Sequence, residues 1–395
     1  MIRQMSLFGQ LLNEFSRSAF VSLVRKHQTE RCAKGFSSWS HFVSMLFCQL
    51  AQAKSLREIC DGLRCCLGKL VHIGMQDGPR RSTLAYANQH RRWELFQDLF
   101  FEMLPRCQQV APHKKFPFKN KMLSIDASTF DLCLSLFPWA KFYQTKGAVK
   151  LHLLLDHDGY LPVYACIREA AVHEINIARI LDLPPDSIIA MDRGFTDYSL
   201  YHSWTERKIW FVTPQRSHAR YQVIEQRPVV ASKNVLSDEI ITWTNFYSQR
   251  DCPVPLRRIV VWDPEKEEEI VLLTNHMDFA ASTIAAIYKD RWQIEIFFKT
   301  LKQNLKVKTF VGTSENALKI QIWTALIAML LIKYLKFRAT LSWSMSNLIA
   351  LLRLNLFTYR DLWEWINHPF NTPPLEPQPV QMALPISGLG QHLVK

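Results

Sequence analysis

No pair of cysteines spaced C-x-x-C occurs in the chain, although nine cysteines are spread over its 395 residues. Cys60, Cys65 and Cys66 fall in a helix-like segment without histidines at matching intervals, so neither a zinc site nor a disulfide framework is indicated. A signal peptide is also missing, because Asn13, Glu14 and Arg17 interrupt the apolar N-terminal stretch early. The longest apolar run, IWTALIAMLLI from Ile322, has 11 residues between Lys319 and Lys333, too few to cross a bilayer. These absences predict a reduced, soluble, cytoplasmic chain with no membrane partner. Acidic residues are in short supply: 35 Asp and Glu against 48 Lys and Arg leave a net charge of +13 and a pI near 9.3. In residues 1–115 the imbalance is 17 basic to 8 acidic. That asymmetry points to a polyanionic partner, most simply nucleic acid.

What is present reads as globular: 48% apolar and 21% charged residues are ordinary values, and the length suggests two or three domains. Residues 1–112 read as helices, in LFGQLLNEF, in SWSHFVSMLFCQLAQAKSLREICDGL, and in STLAYANQHRRWELFQDLFFEML opened by Ser82 as a cap. Short, Arg-rich helices allow a helix-turn-helix reader of DNA, with Arg80, Arg81, Arg91 and Arg92 as its contacts, and equally a plain helical bundle. After the connector APHKKFPFKNK the texture becomes mixed α/β over 113–214, with Asp158 and Gly159 joining two apolar runs as a hairpin would. Residues 215–279 read as a β-rich insertion of short strands, and helix returns over 280–366. Residues 367–395 are expected to form a disordered tail.

The segment YKDRWQIEIFFKTLK, residues 288–302, carries polar side chains on an apolar helix. At about 100° per residue, Tyr288, Arg291, Glu295 and Lys302 share an arc about 60° wide, beside a packing face. A stripe of this kind is either an ion-pair ladder, since Arg291 and Glu295 stand at i,i+4, or a working surface. Two further carboxylates sit in apolar strand contexts, Asp126 in MLSIDAS and Asp192 in SIIAMDRG. Each alone could cap or turn the chain. Together with Glu295 they are three acids from separate elements, which is how proteins hold Mg²⁺ for phosphoryl transfer.

These residues resemble a known family, the DDE transposases of bacterial insertion sequences, in the branch called insertion-sequence family four. Its signature of Tyr, two residues, Arg, three residues, Glu, six residues and Lys is met at Tyr288, Arg291, Glu295 and Lys302, and SIDAST, AMDRGF and LLTN look like the family as well. The resemblance covers roughly residues 115–340. It implies a ribonuclease H-like α/β catalytic domain (113–214 and 280–366) interrupted by the β-rich insertion, for which the 103 residues from Asp192 to Glu295 leave room, and preceded by an all-α N-terminal domain.

By the same resemblance Asp126, Asp192 and Glu295 become catalytic metal ligands for two Mg²⁺ ions, or Mn²⁺ in their place, about 3.5 to 4 Å apart. Arg291 and Lys302 suit phosphate contacts, and Tyr288 a phosphate hydrogen bond. The substrate implied is double-stranded DNA, first the terminal inverted repeats and then the target. Synapsis of the two ends implies a homodimer, associated with the nucleoid when bound. A hairpin intermediate requires a flipped base stacked on an aromatic ring, for which Trp243 and Trp262 are the candidates beside their reading as core residues. Arg193 follows Asp192 as the family expects, whereas Gly194 replaces an acid that some relatives carry. Two other functions remain open: an inactive DNA-binding relic, and a two-metal nuclease that cuts without joining.

Overall fold

The computed structural model describes residues 5–31, 33, 35–66, 70–112, 116–141, 147–229 and 234–374. Most of the expected tail, residues 375–395, lies outside them. The chain opens with α1 (Leu7–Asn13), α2 (Arg17–His27), α3 (Ser38–Ala51) and α4 (Leu56–Arg64). Ser6, Ser16, Ser37 and Ser55 each accept a hydrogen bond from an amide of the first turn that follows, satisfying donors that helix geometry leaves orphaned. Next come α5 (Arg81–His90) and α6 (Glu94–Val110). Two stretches read as single helices are thus broken. Gln52 ends α3 in the left-handed region at φ 57°, and Arg91 turns extended after α5. Ser82 lies inside α5, whose cap position is Arg80 without a side-chain bond.

A single mixed sheet follows, formed by β1 (Met122–Leu132), β2 (Gly147–Asp156), β3 (Leu161–Glu169), β4 (Ile188–Ala190) and β5 (Trp210–Pro214), with α7 (Glu174–Ile180) and α8 (Tyr198–Glu206) between them. The segment 215–279 contributes β6 (Tyr221–Gln226), β7 (Val235–Trp243), α9 (Phe246–Asp251), β8 (Leu256–Asp263) and β9 (Glu268–Thr274). The nine strands are ordered β3-β2-β1-β4-β5-β9-β8-β7-β6. β1 is antiparallel to β2 and parallel to β4, β4 is parallel to β5, and β9 pairs antiparallel with β5. The β-rich segment therefore extends the same sheet at its β5 edge.

The chain then runs through α10 (Ala281–Asp290), α11 (Gln293–Asn304), α12 (Glu315–Arg338), α13 (Met345–Asn355) and α14 (Leu362–Asn367). Alternation along the strands splits the core. Ile125, Ile189, Met191 and Phe211 pack with Tyr201 and Trp204 of α8 on one face. Leu151, Leu153 and Leu155 face the other way, into a cluster that joins α11 and α12 to the N-terminal helices through residues such as Phe96, Phe100 and Trp323. The helices before residue 112 thus share one continuous core with the segment after 290. By length and apolarity α12 could cross a membrane, yet 89% of its most apolar window is packed inside the protein, which explains why it is apolar all round.

Candidate active site

Asp126 lies midway along β1, and Asp192 follows β4, capping the short 3₁₀ turn Arg193–Phe195 through Oδ1, which accepts from Gly194 N at 2.9 Å. β1 and β4 are neighbours with Ser124 opposite Ala190. Continued two residues along both parallel strands, that register sets Asp126 beside Asp192 on one face. Burial pushes the Asp126 carboxyl up to about 7; the charges of Asp192 and Glu174 add to the rise, while the Ala127 N–H and Arg291 oppose it. Burial also raises Asp192, with Glu174 adding to the rise and Gly194 N–H and Arg291 opposing it. Both shifts owe most to burial, with neighbouring negative charge adding to them.

Glu174, at the start of α7, is the acid that sequence reasoning missed. A Cβ on Gly194 would stand 3.0 Å from Asp192 Oδ1 and 3.5 Å from Glu174 Oε2, so glycine leaves room for two carboxylates, the second brought from another element. Glu174 also pairs with Lys150 at 3.1 Å. No spacing rule links residue 174 to residue 192, so only folding reveals the pair.

The stripe sits across a helix break. α10 stops at Asp290 and α11 starts at Gln293; the amides of Trp292 and Ile294 bond carbonyls three residues back, at 3.3 and 3.1 Å, a local tightening to 3₁₀ geometry. Arg291 Nη2 still reaches Glu295 Oε1 at 2.9 Å, and its guanidinium lies 5.3 Å from the Tyr288 ring. Arg291 is buried, and its Nε has no hydrogen-bond partner. Lys302 turns to β1: its Nζ donates to Thr129 O at 2.9 Å and lies 4.9 Å from the Phe130 ring.

Among the described residues, no three His, Cys, Asp or Glu side chains are grouped so as to hold a metal ion; Glu295 is turned onto Arg291. The donor chemistry nonetheless fits a hard divalent cation. Asp126 and Asp192 are carboxylates raised by burial, the condition that Mg²⁺ with oxygen ligands relieves.

Of the other predicted residues, Arg80, Arg81 and Arg92 are exposed. Arg91 requires correction as a DNA contact, since its guanidinium donates to the carbonyls of Phe36 and Ser37 and holds the start of α3. Trp243 requires the same correction as a stacking platform: it is 2% exposed and packs 4.7 Å from the Tyr198 ring. Trp262 is 39% exposed. The larger aromatic surface is Trp292, 54% exposed directly after Arg291, with Ile296 open beside it. The two stand at i,i+4 on the side of the helix away from Ile294, Phe298 and Leu301, which are buried.

Comparison with known proteins places the chain in a family. The family described as Transposase DDE domain matches residues 117–331, more than half of the chain, and a domain of unknown function, DUF4372, matches residues 3–76. A Sinorhizobium fredii protein named as a transposase, y4zB, is 29% identical over 65% of this chain and 71% of its own. A Geobacillus stearothermophilus protein named as the transposase of insertion sequence element IS5377 is 24% identical over 64% and 67%. One from Synechocystis sp., named for element IS4SA, is 25% identical over 64% and 71%. The solved piggyBac transposase synaptic complex with hairpin DNA aligns at a TM-score of 0.45 and 11% identity, over 88% of this chain and 80% of that one, a likeness too loose to bear on mechanism. The chain belongs to the DDE transposases of bacterial insertion sequences, enzymes that cut DNA and transfer its strands.

Proposed function

We propose that this transposase moves its insertion sequence by a cut-and-paste route, acting on the terminal inverted repeats and then on target DNA. The observation that carries the reading is the convergence of Asp126 and Asp192 at adjacent parallel strands under the Arg291–Glu295 pair. The strand order β3-β2-β1-β4-β5, antiparallel then parallel, supports a ribonuclease H-like catalytic core.

Two Mg²⁺ ions held by Asp126, Asp192 and Glu295 would supply Lewis acidity to the attacking and leaving oxygens, with Mn²⁺ able to substitute. The protein's own groups bind and orient. Arg291, held against Glu295 through Nη2, carries a planar guanidinium of the shape that binds a phosphate in one plane. Lys302, anchored to Thr129 O of β1, adds fixed positive charge farther along the strand that carries Asp126, and the Tyr288 hydroxyl can donate to a phosphate. Trp292 and Trp262 offer open faces for an unstacked base, which hairpin closure of the cut end would demand. Arg80, Arg81 and Arg92 extend phosphate contact over the N-terminal helices. Two chains holding two element ends form the working complex, in the bacterial cytoplasm at the nucleoid.

The test is a linear duplex carrying both element ends, incubated with supercoiled target and Mg²⁺ or Mn²⁺. Expected are excised ends, hairpins and joined products. Cutting without joining would make the protein a nuclease, and binding without cutting a relic.

A further inference from the structure

The turn between β2 and β3 ties together two parts of the site through side chains with no role in the reaction as proposed. His157, directly after β2, meets Ser124 Oγ with Nε2 at 2.6 Å and Asp290 Oδ2 with Nδ1 at 2.7 Å. A carboxylate oxygen accepts, so Nδ1–H donates to Asp290, and Nε2 shares one hydrogen bond with the Ser124 hydroxyl. Ser124 stands two residues before Asp126 on the same face of β1, and Asp290 ends α10 next to Arg291. The turn itself is braced. The Tyr160 hydroxyl donates to Asp290 at 3.3 Å, Lys333 of α12 donates to Gly159 O at 3.0 Å, and Lys121 pairs with Asp156 and Asp158 at 2.5 and 3.1 Å.

Ser, His and Asp in this order would be a hydrolase triad at a surface. Here Ser124 is 0%, His157 6% and Asp290 3% exposed, so no substrate reaches the hydroxyl. A buried polar chain whose contacts are all short specifies geometry instead. It does so at the α10–α11 junction, where the Trp292 and Ile294 amides bond three residues back instead of four.

We propose that His157 is a positioning residue. It links the strand carrying Asp126 to the helix junction carrying Arg291 and Glu295, and sets the distance across which the acids act together. The proposal rests on the reading of Asp126 and Glu295 as catalytic acids.

The experiment uses the full-length protein with a duplex carrying one element end. Ser124→Ala, His157→Gln, His157→Ala and the Ser124→Ala/His157→Ala pair are compared with wild type and Glu295→Gln. Four quantities are read: DNA Kd, single-turnover cleavage rate, thermal midpoint, and Mn²⁺ bound to the protein–duplex complex, from loss of the free-ion electron paramagnetic resonance signal. Expected is cleavage slowed by about 10-fold or more in His157→Ala, partial recovery in His157→Gln, weaker Mn²⁺ binding, and DNA Kd within about twofold. The pair should be no slower than His157→Ala alone, because both changes cut one link. Ser124→Ala removes a single oxygen and keeps the test valid if His157→Ala folds poorly. Wild-type Mn²⁺ affinity and cleavage in Ser124→Ala and His157→Gln, or rate losses that only follow the folded fraction, overturn the inference while Glu295→Gln stays inactive. Cleavage by Glu295→Gln would instead remove the catalytic assignment itself.

Discussion

Arg291 Nη2 lies 2.9 Å from Glu295 Oε1 across one helical turn, so the late acid of the site is held by a cation while the two strand acids repel each other. As an isolated surface pair at i,i+4 it would contribute about 0.3–0.5 kcal/mol. It also orients Arg291, whose charge opposes the rise of the Asp126 and Asp192 carboxyls.

Glu295→Gln keeps the shape of the side chain and its acceptor toward Arg291 while removing the charge. We expect cleavage to fall by about 10³-fold or more, with DNA affinity within about threefold. Single-turnover cleavage and a mobility-shift titration check both numbers. Normal cutting by this variant would falsify the acid assignment.

Arg80→Ala with Arg81→Ala removes two exposed charges from the start of α5. If both meet phosphates, the slope of log K against log salt should shrink by about 2, with the melting temperature unchanged. Arg91→Ala should behave in the opposite way. It strips the Phe36 and Ser37 carbonyls of their donor and lowers stability by about 1–3 kcal/mol. An unchanged salt slope in the first variant would move the DNA surface elsewhere.

The two tryptophans separate by burial. Trp243→Ala empties a core position beside Tyr198 and should cost about 3–5 kcal/mol, read by denaturant unfolding. Trp292→Ala removes an exposed ring and should leave that unfolding curve in place while weakening the complex with cleaved, unpaired ends by about 1–3 kcal/mol. Equal affinity of both proteins for such ends would rule out stacking at residue 292.

Acid should loosen the N-terminal helices through His41. Its ring is fully buried, with Nε2 2.7 Å from Asn88 Oδ1. Burial, then the charge of Arg91, lowers its pKa from 6.5 to about 3, while the Asn88 hydrogen bond opposes the shift. Between those values the unfolded chain binds the extra proton, so stability falls as pH drops through 6.5 toward 3, by about 1.4 kcal/mol per unit for one group. His41→Gln should flatten that part of the profile in melts taken from pH 7 to pH 4. A profile as steep as wild type would assign the acid sensitivity to other groups.

Legibility in the sequence followed the range of the interaction. The Asp158–Gly159 hairpin and the strands of MLSIDAS and SIIAMDRG all appear where local pattern set them, since turn chemistry and two-residue alternation act between near neighbours. The break at Arg291–Trp292 carries neither Pro nor Gly, and periodicity passed over it. Arg91 misled, and Trp243 stayed open between core and platform, for a shared reason: a guanidinium or an indole looks the same in sequence whether it meets DNA or the protein's own carbonyls and rings.

By itself the sequence determined the family, because the residue types and spacings that mark a DDE transposase are properties of the chain, and it nominated Asp126, Asp192 and Glu295 as the acids to test. Only the tertiary structure decided how those groups stand toward one another. The register of β1 on β4, the approach of Glu174 to Asp192 and the burial of His157 between Ser124 and Asp290 join residues from 18 to 133 positions apart. Contacts of that range depend on how the sheet and helices pack, which no local periodicity encodes.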